Sequence, residues 1–307
     1  LELRDGTIVT ADEITARLNS STDGRDYLFG SDGTVTLSGL AGDDQLSGDG
    51  DKNTLLGGTG SDQLQASGFE NFLDGGNGAD VLKVIHGPPT VGGSIIPVDI
   101  LLGGGGEDTL ESLTAAGNGV VTVLLDGGSG TDTLLVHEGH PVVTAGGEGF
   151  DSIKGELAAT PSIILLNRGD QGDVIISSDG WGATTNELPP GGVSHVVSFG
   201  GGITLNDLSL RQDGNDMLIL SGPAEGLRFV DYFSASGEAA NWLTQIQLVN
   251  QATPTYKSDS PLPGESSPVF VLNFNPILGE YLQERSGPGE LWNLGEAGSA
   301  AEGQFLP

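Results

Sequence analysis

The sequence predicts an all-β chain: a right-handed parallel β-roll, or β-solenoid, with a short N-terminal capping helix and a C-terminal β-rich domain. Three observations predict it. Leucine stands at 28, 37, 46, 55, 64, 73 and 82, a run of nine-residue steps that no helical period produces. Two residues before each leucine runs a second column on the same clock: Asp26, Val35, Asp44, Asn53, Asp62, Asn71 and Asp80. Glycine supplies 52 of the 307 residues, far above ordinary usage, without the every-third-residue spacing of collagen.

Composition narrows the partners. With 11 Lys+Arg against 42 Asp+Glu the net charge is −31, which excludes a nucleic-acid backbone or an anionic membrane surface. Cysteine is absent, so disulfides and thiolate metal sites are out. The longest apolar runs, such as Val120 to Leu125 with Thr122 inside, fall well short of the roughly 18 residues a membrane span needs. The first residues, Leu1-Glu2-Leu3-Arg4-Asp5, have neither the basic flank nor the apolar stretch of a secretory signal peptide, and the chain reads as a slice of something longer.

In chain order, Thr10 and Glu13 form a capping box before Ala11 to Leu18, an amphipathic helix with Ile14 and Leu18 on one face. That segment, residues 1–20, is expected to cover the open first coil, whose sheet edge would otherwise invite pairing with another chain. Next come the nonapeptides, best formed at Gly57-Gly58-Thr59-Gly60-Ser61-Asp62-Gln63-Leu64 and Gly75-Gly76-Asn77-Gly78-Ala79-Asp80-Val81-Leu82. This is the G-G-x-G-x-D-x-U-x pattern of calcium-binding β-helix repeats. Each repeat is a tight turn followed by a short strand whose leucine points inward. Two repeats close a coil, so residues 18 apart stack at about 4.8 Å, the spacing of neighbouring strands.

Stacking sorts the second column into two files. Asp26, Asp44, Asp62 and Asp80 share one edge, while Val35, Asn53 and Asn71 share the other. Carboxylates about 5 Å apart repel by several kcal/mol at an effective dielectric constant near 20, so the first edge needs cations between its rungs and the second does not. The expectation is a one-sided calcium column. The turn returns at Gly103 to Asp108, Gly127 to Asp132 and Gly146 to Asp151, with a shortened cousin, Gly169-Asp170-Gln171-Gly172-Asp173, before Ile175. Insertions such as Pro88-Pro89 to Pro97 are expected on the bare edge.

These repeats resemble the RTX (repeats-in-toxin) β-roll proteins of Gram-negative bacteria, strongly from Gly39 to Leu82 and recurrently to Ile153. The resemblance implies calcium held by turn carbonyls and by the sixth-position aspartates of adjacent coils. Carried over residue by residue, the metal positions are Asp26; Gly39, Gly42 and Asp44; Gly57, Gly58, Thr59, Gly60 and Asp62; and Gly75, Gly76, Asn77, Gly78 and Asp80. Downstream they are Gly103, Gly104, Gly105, Gly106 and Asp108; Gly127, Gly128, Ser129, Gly130 and Asp132; Gly146, Gly147, Glu148, Gly149 and Asp151; and Asp173. The chain departs from the pattern at Ser21 to Asp26, which lacks the first two glycines, and at Val35, Asp49, Asp51 and Phe69.

A second resemblance covers roughly residues 193–249. Phe199-Gly200-Gly201-Gly202-Ile203-Thr204-Leu205-Asn206-Asp207-Leu208, then Asp213-Gly214-Asn215-Asp216-Met217-Leu218-Ile219, is similar to the haemolysin-type calcium-binding-related domain that follows RTX blocks. Leu3 to Thr10 resembles the end of another such unit. The expected organisation is a cap at 1–20, the β-roll at 21–178, the associated β domain at 179–257, and a linker and tail at 258–307. The resemblance implies a calcium module that folds outside the cell, or at the bacterial surface, after export by type I secretion machinery. The leading parent is a large adhesin with a cell-surface or matrix ligand; the other is a secreted enzyme or cytolysin for which this segment is the calcium-binding and secretion region.

No catalytic constellation competes, and the segment itself is expected not to be an enzyme. His137-Glu138-Gly139-His140 spaces its histidines three apart beside glycine and proline, whereas the zinc-protease motif needs four on a helix. Asp49, Asp51 and Asn53 start like an EF-hand, but Thr54 replaces the required glycine. The glycine turns precede strand-like segments, so they are not helix-opening phosphate loops. The aspartates sit where the repeat needs them, which accounts for them without a glycosidase-type acid pair.

Overall fold

The computed structural model describes residues 21–86, 98–114, 122–137, 141–157, 162–177, 195–233, 240, 242–249, 269–284, 287 and 289–295. The expected helix at 11–18 and the Pro88 to Pro97 insertion lie outside the described residues. The chain divides into two compact units, Leu1–Ser129 and Gly130–Pro307.

The first unit is a parallel solenoid of two facing sheets. One sheet stacks β1 (Tyr27–Ser31), β3 (Gln45–Asp49), β5 (Gln63–Ser67), β7 (Val81–His86) and β9 (Thr109–Thr114). The other stacks β2 (Thr34–Ala41), β4 (Lys52–Thr59), β6 (Glu70–Asn77), β8 (Val98–Gly105) and β10 (Thr122–Gly130). Register follows the leucine clock. Leu28, Leu46, Leu64, Leu82 and Leu110 pair in one file, and Leu37, Leu55, Leu73, Leu101 and Leu125 in the other. All ten are buried, and Leu55, Leu73, Leu82, Leu101, Leu110 and Leu125 show no accessible surface. Burying a leucine contributes about 1.5–3 kcal/mol, so these files form the core that the coil closes upon. The register jumps from Leu82 to Leu110 because the insertion after β7 is passed over without moving the turn that follows.

The second unit begins the same way. Strands β11 (Thr133–Val136), β13 (Ser152–Gly155) and β15 (Gly172–Ser177) pair in parallel, as do β12 (Val142–Gly149) and β14 (Ser162–Leu166). The segment that resembles a separate domain joins these sheets directly. Strand β16 (His195–Phe199) pairs with β14, β19 (Gly226–Phe229) with β15, and β20 (Gln245–Val249) with β16, all in parallel. Only then does the direction reverse, through β17 (Ser209–Asp213) and β18 (Asp216–Leu220) on one sheet and β21 (Val269–Asn273) on the other.

Past β21 the chain forms helix α1 (Phe274–Glu284), which buries Phe274, Ile277, Leu278 and Tyr281. A main-chain N–H, that of Asn275, donates to Asn273 Oδ1 at its start, and Pro276 sits in the first turn where no N–H is needed. Strand β22 (Trp292–Asn293) then pairs with β17, so part of the segment expected as a tail is structured. The core of this unit includes an aromatic cluster: Phe229, Tyr232, Phe233 and Trp242 are buried, and the His195 ring stacks on Trp242 at 4.4 Å.

Removing one leucine of the stacked files should be costly. Leu64→Ala in the calcium-loaded chain is expected to lose about 2–5 kcal/mol in denaturant unfolding. The outward-facing neighbour Gln63→Ala should stay within about 0.5 kcal/mol.

Candidate metal centre

The turns that follow β2, β4, β6 and β8 form one edge of the first unit. Each is tied to the next by a main-chain bond: Gly42, Gly60, Gly78 and Gly106 donate to the carbonyls of Thr59, Asn77, Gly105 and Ser129 at 2.6–2.8 Å. The second turn position is left-handed, with φ of 113°, 98° and 103° at Gly58, Gly76 and Gly104. Leu40 occupies that position in the first turn at φ 75°. A leucine held there costs about 1–2 kcal/mol, which makes the first turn the strained one.

The aspartates of these turns form a single file. The main-chain N–H of Asp26 donates to Asp44 Oδ1 at 2.7 Å, that of Asp44 to Asp62 Oδ1 at 2.7 Å, that of Asp62 to Asp80 Oδ1 at 2.7 Å, and that of Asp80 to Asp108 Oδ1 at 2.8 Å. One carboxylate oxygen per rung is thereby fixed. The other, Oδ2 of Asp44, Asp62 and Asp80, is buried with no hydrogen-bond donor. It faces the first glycine of its own turn and the carbonyl of the next. A Cβ placed on Gly57 would lie 2.5 Å from Asp62 Oδ2 and 2.5 Å from the Gly75 carbonyl; one on Gly75 would lie 2.5 Å from Asp80 Oδ2 and 2.6 Å from the Gly103 carbonyl. The glycines thus open a cradle walled by a carboxylate and a carbonyl oxygen, the donor set of a hard cation such as calcium. Among the described residues no group of three or more His, Cys, Asp or Glu converges.

Burial favours the neutral form of these acids. It raises Asp44 and Asp62 above the ordinary carboxylate range, and it pushes Asp80 up to about 7, with Asp108 and Asp62 adding repulsion. In the second unit the pattern recurs. Asp132 N–H donates to Asp151 Oδ1 at 2.8 Å and Asp151 N–H to Asp173 Oδ1 at 3.2 Å, while Oδ2 of Asp151 and of Asp173 lacks a donor. A Cβ on Gly146 would meet Asp151 Oδ2 at 2.5 Å and Asp173 Oδ2 at 2.8 Å. Burial and the neighbouring Asp151 push Asp173 up to about 8. Asp170, buried beside this pair, accepts the Asn167 N–H at 2.6 Å; only its place in the shortened turn pointed to it.

The opposite edge is closed by amides. Asn53 Nδ2 donates to Asn71 Oδ1 at 2.8 Å, and Asn71 Nδ2 donates to Asp99 Oδ1 at 2.9 Å. Asn53 also exchanges bonds with the main chain of Gly50 and donates to the Ser67 carbonyl. The ladder runs in one direction and ends on a carboxylate. Asp99 follows the Pro88 to Pro97 insertion, off the nine-residue clock, which is why the sequence did not reveal it.

Asp26 departs from the rest of its file. Its carboxylate already receives the Thr22 N–H at 2.6 Å and the Thr22 hydroxyl at 3.1 Å. Arg25 spans from this rung to Asp43 at 3.3 Å. The turn without its first two glycines brings its own donors instead of a cradle. Of the remaining predicted positions, Gly39 faces Asp44 as Gly57 faces Asp62, Gly127, Gly128 and Ser129 close the first unit, and Gly130 opens the second. Thr59, Asn77 and Glu148 hold the third position of their turns, with exposed side chains. Glu138 to His140 lie outside the described residues.

The RTX calcium-binding nonapeptide repeat family matches the chain in 4 copies, over residues 20–55, 56–83 and 98–112. No curated protein matches it.

Two outcomes follow from this geometry. Asp62→Asn, which keeps the Oδ1 acceptor and loses the charge, should lower the number of calcium ions bound in a titration, because Asp62 serves the rungs on both sides. Asp26→Asn and Asn53→Ala should leave that number unchanged, with Asn53→Ala costing about 1–3 kcal/mol of stability for the groups it leaves unpaired. Loss of ions in the Asn53 variant would refute the one-sided column.

The second outcome concerns pH without metal. Asp80 and Asp173 titrate near 7 and 8 when folded and near 3.9 when unfolded, so between those values the folded chain holds more protons. In chelator, stability should therefore be greatest near pH 4 and fall as pH rises toward about 8. Calcium should reverse that slope. Denaturant titrations at several pH values, with and without calcium, read both.

Proposed function

Because this chain is an RTX β-roll protein whose repeats bind calcium, we propose that calcium switches it from an unfolded to a folded state outside the bacterial cell. The observation that carries the reading is the file of buried Oδ2 atoms, each without a donor and each beside a glycine carbonyl of the next turn. Stacked at about 4.8 Å, these charges oppose the coil until cations lie between them. Extracellular calcium modules commonly bind at about 10⁻⁴ to 10⁻³ M, far above cytosolic levels, so the chain stays open before export and closes after it.

The same reading makes type I machinery the export partner, since an unfolded chain is what such a channel can pass. It gives the segment a structural role, with residues 21–178 as the roll and 179–257 as the portion that finishes its C-terminal end. The parent is a large secreted or surface protein, with an adhesin as the first choice, because a stiff calcium-set solenoid suits the spacing of binding modules. Among the described residues no helix is long and apolar enough to cross a membrane.

Far-ultraviolet circular dichroism with calcium and with chelator tests the switch. Calcium should raise the β signal and the melting temperature together. A spectrum and melting temperature unchanged by calcium removal would refute it.

A further inference from the structure

The calcium edge holds the only Asn-Gly pair among the described residues, Asn77-Gly78. Glycine after asparagine leaves its main-chain nitrogen sterically open to the preceding side-chain amide. We propose that Asn77 is a self-modification site gated by calcium. The Gly78 nitrogen attacks Cγ of Asn77; a C–N bond forms, the side-chain nitrogen leaves as ammonia carrying the proton of the Gly78 amide, and a cyclic imide results. Water then opens either carbonyl of the imide, giving aspartate or isoaspartate. No electrons are gained or lost.

The folded turn blocks this step. Gly78 N–H donates to the Gly105 carbonyl at 2.6 Å, and the Asn77 carbonyl accepts the Gly60 N–H at 2.8 Å. Ring closure needs rotation between these two residues, which breaks both bonds. The Asn77 side chain itself is exposed, so water reaches the amide once the turn opens. Asn53 and Asn71 do not share the chemistry: they precede Thr54 and Phe72, are buried, and donate their amides along the opposite edge.

Modification damages the column where it matters. Isoaspartate adds a methylene to the main chain of a turn already in contact with the turns on both sides, where a Cβ on Gly78 would overlap the Gly60 carbonyl. Aspartate at 77 adds a negative charge between the rungs of Asp62 and Asp108. A chain that waits too long without calcium thus loses the capacity to respond to it.

This inference rests on the calcium switch, and the test separates the two. The full chain is held at neutral pH with calcium or with chelator, sampled over days, and digested with trypsin, which releases the peptide Asn53 to Lys83. Mass spectrometry and isoaspartate labelling follow residue 77, while circular dichroism follows folding. Conversion should be faster in chelator by at least about tenfold, since reaction through an open state scales with its population. Chelator-aged chains returned to calcium should bind fewer ions. Asn77→Ser, matching Ser129 at the same turn position, should abolish conversion at residue 77. Equal conversion rates while calcium still folds the chain would overturn the inference and leave the switch standing; equal rates with an unchanged spectrum would sink both.

Discussion

The structure depends on one repeated bond: the main-chain N–H of each turn aspartate donates to Oδ1 of the aspartate in the next coil. It fixes the spacing of the coils and, with it, the distance between the negative charges. It also fixes the direction of the second oxygen, toward the glycine wall of its own turn. Side-chain freedom therefore offers no escape from the repulsion. The remaining ways to relieve it are to bind a proton, to bind a cation or to unwind, and these are the three states available to the molecule.

The two edges of the coil solve the same problem in different chemistry. Amides on the second edge donate and accept at once, so Asn53 passes a hydrogen bond to Asn71 and Asn71 passes one on to Asp99. Carboxylates accept only, and a file of them has no internal donor beyond the main chain. The apolar files between the edges are continuous and would pack with either chemistry. The edge chosen for carboxylates decides where the fold is conditional. Asp26 shows how little is needed to remove the condition: one threonine placed four residues earlier supplies its donors.

Much of this was legible in the sequence because the repeat has its own period. The leucine files, the pairing of residues 18 apart and the carboxylate edge follow from counting, and the structure gives Leu28 with Leu46 and Asp44 with Asp62 as the count requires. Counting fails where the clock stops. Asp99 joins the amide ladder across an insertion, and Thr22 replaces a cradle that the glycine pattern only marks as missing. Helix α1 lies within the segment read as linker and tail, although Asn273 and Pro276 carry its start signal. The pairing of β16 with β14, of β19 with β15 and of β20 with β16 was hidden because long connections separate strands that lie side by side.

Connections on the metal edge are short and alike: residues 42–44, 60–62, 78–80 and 106–108 in the first unit. On the amide edge they range from residues 32–33, 50–51 and 68–69 to residues 87–97 and 115–121. Doubling a loop adds only about 0.6 kcal/mol of closure entropy, so length there is nearly neutral, whereas one added residue on the metal edge would displace a carboxylate from its rung. Insertions are thereby cheap on one rim and costly on the other. The amide rim is the part of the surface that selection can rewrite, and a library of grafted loops belongs there.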